Sequence, residues 1–97
     1  MSVTYATELG SMIQRRPGVN GGRPCVRGTG LSVLQLGSML RYGFTAEAIC
    51  AEYPQVEAVG IYAALAYYLA NQELFDAELD EEAAEYERDA SESSATR

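Results

Sequence analysis

Between Ile61 and Ala70 the chain reads IYAALAYYLA, ten residues without a charge and apolar on every side of a helix. A helix of that kind has to be covered all round. Crossing a bilayer takes about 20 apolar residues, so the cover must be protein. The rest of the 97-residue chain offers two short helices and a glycine-rich arm, too little to enclose it. A second copy of the chain is the simplest further cover. The expected dimer interface is Tyr62, Leu65, Tyr68 and Leu69. Past Ala70 an apolar seam continues through Leu65, Tyr68, Gln72, Phe75, Leu79, Ala83 and Tyr86 at steps of three and four. One long third helix with acidic flanks is expected.

Two shorter helices precede it. Ser32 is a good N-cap with Gln35 at the third helical position, the spacing of a capping box. Val33, Leu36, Met39 and Leu40 then fall on one face. Gly43 suits the left-handed residue of a Schellman stop, and Thr45 caps a second helix that Pro54 ends near Tyr53. The third helix starts around residues 55–57. Ser91–Arg97 is small and polar and is expected to fray.

Upstream, PGVNGGRPCVRGTGLSV (Pro17–Val33) holds five glycines and two prolines among apolar residues. As a phosphate loop it lacks the required lysine, since the chain contains none. A β-arm fits better: one short strand over Ser11–Gln14, a second over Arg23–Arg27, and Asn20, Gly21 and Gly22 supplying positive φ between them. The fold expected is mainly α: a short N-terminal β-arm, then a three-helix unit of helix-turn-helix type with a long third helix. It forms a single domain over 1–97, with the arm at 1–31, the helical core at 32–72 and an acidic extension at 73–97.

The absence of histidine removes the commonest general base and zinc ligand. Cys25 and Cys50 have no metal or redox spacing and read as small buried side chains. The carboxylates at 76, 80, 81, 82 and 85 lie on a solvated helix, with no cleft to shift their pKa. No catalytic, cofactor or metal site, and no small-molecule substrate, is expected. With no signal peptide pattern, a cytoplasmic protein that does not enter membranes is expected.

The net charge of −7 is unevenly spread. Through Gln72 five arginines face four glutamates; from Glu73 onward ten acids face Arg88 and Arg97. Arg15, Arg16, Arg23 and Arg27 on the arm, with Gln55 ahead of the third helix, are the candidate DNA contacts. The alternative for Arg23 or Arg27 is to pair with a carboxylate and pin the arm. The third helix itself carries no lysine or arginine, so any DNA contact falls mainly to the arm. Phe75, Leu79, Tyr86 and Arg88 on the acidic extension are the candidate partner-protein contacts.

The Pro17–Val33 stretch, followed by YGFTAEAICAEYPQV and IYAALAYYLANQELFDAEL, resembles the domain of unknown function 433 family over about Ile13–Leu79. The family pattern lands on Gly21, Gly22, Pro24, Val26, Arg27, Gly28, Thr29, Val33, Gly43, Tyr53, Pro54, Ala64, Leu65 and Tyr67. Gly30 stands where the family usually has arginine, and Gly60 where an acidic residue is usual. The resemblance implies a homeodomain-like core, a dimer, and an antitoxin that neutralises a PIN-type ribonuclease toxin and represses its own operon by binding operator DNA. The other reading is an interaction module that binds only a protein partner and no nucleic acid.

Overall fold

The structure is a computed structural model and describes residues 8–95. Two short strands, β1 (Ile13–Gln14) and β2 (Cys25–Val26), precede four helices: α1 (Val33–Arg41), α2 (Ala46–Glu52), α3 (Ala58–Ala70) and α4 (Gln72–Ala95). The chain is thus mainly helical behind an N-terminal hairpin. Ser11 and Met12, expected in the first strand, instead close a 3-10 turn at Leu9–Met12 that leads into β1.

The strands pair antiparallel, Ile13 opposite Val26 and Gln14 opposite Cys25. Asn20, Gly21 and Gly22 take φ of 49°, 65° and 79° in the connection, the left-handed region that glycine and asparagine tolerate best. Pro24 lacks an N–H, but its carbonyl accepts from Val33 N, which fastens the arm to the start of α1. After β2, Gly28 turns the chain at φ 76°. There the Thr29 hydroxyl donates to Val26 O (2.8 Å) and accepts from Leu31 N (3.1 Å).

Ser32 Oγ accepts from Gln35 N at 3.0 Å, as its N-cap position requires. The reciprocal half of the capping box is replaced: Gln35 Nε2 donates to the Tyr53 hydroxyl at 3.0 Å and ties α1 to the end of α2. Phe44 N to Met39 O and Gly43 N to Leu40 O form the expected Schellman stop, with Gly43 at φ 102°. Thr45 caps α2, accepting from Ala48 N. Tyr53 leaves helical geometry (φ −127°, ψ 64°) before Pro54 and ends that helix.

α3 packs chiefly on α1, and also on α2 and the arm. Val33, Leu36, Ile49, Ile61 and Ala64 are wholly buried there. Two glycines set the spacing. A Cβ on Gly37 would lie 2.2 Å from the Tyr68 ring, and one on Gly60 would lie 2.7 Å from Val26 Cγ1.

The single long third helix expected from periodicity is broken. Asn71 leaves helical geometry (φ −128°, ψ 32°), and its side-chain amide donates to Tyr67 O at 3.0 Å. The bend carries Phe75 onto Tyr67 and Tyr68, with ring centroids 6.1 and 6.0 Å apart. Phe75 is therefore buried in this chain's own core, and Leu79 is half-buried against it. The helical core consequently runs past residue 72. Burying a phenylalanine outweighs the few helical bonds lost at one asparagine. The backbone of α4 stays helical through Ser91–Ala95, where fraying was expected; the final two residues lie outside the described ones.

Candidate interaction surfaces

α3 buries one side and leaves the other in solvent. Tyr62 is 46% and Leu69 55% exposed; Val59, Ala66 and Ala70 share that side. Leu9 and Ile13 of the arm lie alongside, and together with Val59, Tyr62, Ala63, Ala66 and Tyr67 they line a groove of about 320 Å³. No residue of α3 is charged, so the groove floor is apolar throughout. Desolvation, and then the neighbouring Glu47, raise the Tyr62 pKa. Of the four residues expected at a dimer interface, Tyr62 and Leu69 belong to this surface. Leu65 and Tyr68 do not: they are 5% and 1% exposed and face α1 inside the same chain. Periodicity marks a stripe as apolar but not which side of an all-apolar helix its own domain covers.

The proximal part of α4 is held by two arginines. Arg41, at the end of α1, meets Asp80 Oδ1 at 2.6 Å and Asp76 Oδ1 at 3.7 Å. The Asp80 hydrogen bond is the main cause of its raised pKa. Arg23 of the arm meets Glu82 Oε1 at 3.1 Å and Glu78 Oε2 at 3.5 Å. Asp76 also accepts from the Tyr68 hydroxyl at 2.5 Å. The Tyr68 phenol is held above its ordinary pKa, first by burial and then by that bond.

The other expected sites separate accordingly. Arg23 takes the pinning role rather than standing free. Arg16 donates to Thr29 O at 2.7 Å, and Arg27 approaches Ser11 Oγ at 3.4 Å. Both partners are neutral, so neither arginine is offset by an ion pair among the described residues. Arg15 and Gln55 are exposed. Phe75 is withdrawn from any partner surface, and Leu79 mostly so. Tyr86 is 76% exposed, and Arg88 is exposed about two turns from the described end of α4. Cys25 is buried, with Sγ accepting from Asn20 Nδ2, and Cys50 is half-buried. Among the described residues no group of three His, Cys, Asp or Glu side chains is placed to hold a metal ion. None of the helices there is long and apolar enough to cross a membrane.

The model of the family described as Protein of unknown function (DUF433) matches residues 13–68. The chain belongs to the DUF433 family. A solved structure of a DUF433 member from Anabaena variabilis ATCC 29413 is similar to it: 35% sequence identity and a TM-score of 0.64, covering 74% of this chain and 71% of that one. No curated protein matches. The DUF433 match ends at Tyr68, so it takes in the hairpin and most of α3 while α4 lies beyond it. Sequence reasoning missed Leu9, Val59 and Ala66 on the groove. Val59, Tyr62, Ala66, Leu69 and Ala70 do recur at helical spacing, which was the available signal. It also missed Arg41 as the clamp on α4, because residues 39 apart carry no local signature.

Proposed function

We propose that this DUF433 protein is a non-enzymatic binding protein, antitoxin-like in kind. It pairs with a second copy through the open face of α3 and offers the distal half of α4 to a protein partner. The observation that supports this reading is the apolar groove along α3, flanked by Leu9 and Ile13, which the described residues leave open. A contiguous apolar surface of this kind is an association site more often than bare solvent-facing surface. On α4, Tyr86 and Arg88 stand clear of the core on an acidic helix that suits docking into a groove of another protein. The partner class implied by the resemblance is a PIN-type ribonuclease.

Operator binding is a second reading, favoured by Arg15, Arg16 and Arg27, which meet no carboxylate among the described residues. It starts with one arginine fewer than the sequence suggests, because Arg23 is paired. Sedimentation velocity of the full chain tests the first reading. A dimer at micromolar concentration is expected, and a monomer throughout that range overturns the pairing.

A further inference from the structure

The two arginine clamps share one geometry. Arg41 meets Asp76 and Asp80, and Arg23 meets Glu78 and Glu82; each spans two carboxylates one helical turn apart. At 100° per residue these pairs fall on opposite flanks of the Phe75–Leu79 ridge. α4 therefore lies between the two guanidinium groups, apolar ridge down and acids to either side. All four acids and both arginines remain partly in solvent, the regime in which ion pairs hold weakly and exchange partners readily. To Arg23, Glu78 and Glu82 present two negative charges one turn apart, as a nucleic-acid backbone presents successive phosphates.

We propose that α4 is an acidic strap that occupies Arg23 and Arg41 in cis and restrains them from nucleic-acid phosphates. Loosening its grip frees them to join Arg15, Arg16 and Arg27 in binding. The proposal rests on the operator-binding reading, in which the arm arginines meet phosphates, and does not depend on pairing through α3.

The test uses the full chain and a mixed-sequence DNA duplex, followed by fluorescence anisotropy over a salt series. Glu78→Gln with Glu82→Gln removes the partners of Arg23 while leaving Phe75 and Leu79 in place; circular dichroism checks that α4 is retained. Glu87→Gln with Asp89→Asn makes the same change in net charge away from both clamps. The strap predicts that the first variant binds about tenfold more tightly than the second, with a steeper salt dependence by about one unit for the freed arginine. Adding Arg23→Ala to the first variant removes the gain. Equal affinity of the two charge-matched variants overturns the proposal, as does a gain that survives Arg23→Ala, or no measurable binding by any variant at low salt.

Discussion

Gly37 has no side chain where the ring of Tyr68 needs the space. Alanine there gains up to about 1 kcal/mol of helix propensity. It also places a Cβ 2.2 Å from Tyr68 Cδ1, and overpacking of this kind costs about 1–3 kcal/mol. Gly37→Ala should therefore lower the urea midpoint, with an unchanged denaturant slope showing that stability alone moved. Tyr68 itself supplies a pH signature. Its folded pKa lies above the ordinary 10.0 because the phenol is buried and then because it donates to Asp76. The unfolded chain gives up that proton first, so the contribution of Tyr68 is complete below pH 10 and fades as pH rises through the folded value. Tyr68→Phe should cost about 0.5–1.5 kcal/mol at neutral pH and flatten the alkaline fall in stability. Urea midpoints collected across the alkaline range check both, and an equally steep fall in the variant would count against this account.

At the scale of elements, the break at Asn71 decides what α4 is. Were α3 and α4 one straight helix, Phe75 and Leu79 would project for a partner; bent, they close the core beside Tyr68. Phe75→Ala should then lose about 3–5 kcal/mol, as large-to-small changes in cores do, whereas Tyr86→Ala should leave stability nearly unchanged. Truncation behaves likewise. A chain ending after Gln72 loses Phe75 and the partners of both arginines and should melt at much lower temperature. One ending after Ala84 retains them and should stay folded. Thermal melts followed by circular dichroism distinguish the two, and a stable protein ending at Gln72 would show that α4 is dispensable to the core. Gly60 belongs at this scale too. It is buried where α3 crosses β2, with Val26 Cγ1 2.7 Å from any added Cβ, so here the glycine sets how closely the hairpin approaches the helix.

At the scale of the whole molecule, the surface divides into an apolar face on α3, an acidic rod of 24 residues in α4, and an arm whose arginines are partly spoken for. The rod is about 36 Å long at 1.5 Å per residue, and its residues 81–90 are all exposed. Tyr62→Glu with Leu69→Glu places two charges on the exposed side of α3 without entering the core. This pair should turn a dimer into a monomer by sedimentation while shifting the melting temperature little. A large loss of stability would instead mean that these residues support the fold of a single chain.

Short-range chemistry made much of this legible before any coordinates. Ser32 and Thr45 as caps, Gly43 as a left-handed stop, Pro54 as a breaker and Asn20–Gly22 as a positive-φ turn all act through residues three to five apart. The helical class and the hairpin follow from them. The choices that decide the surfaces are long-range. An all-apolar stretch such as Ile61–Ala70 has no preferred side of its own. Leu65 and Tyr68 are buried, and Tyr62 and Leu69 exposed, only because α1 and the arm dock on one flank. In the same way, Arg23 and Arg41 become clamps because the turn at Asn71 swings acids from far along the chain onto them. Periodicity can mark a residue as apolar or charged, but the partner it meets is set by tertiary packing, where burying Phe75 outweighs keeping one helix straight.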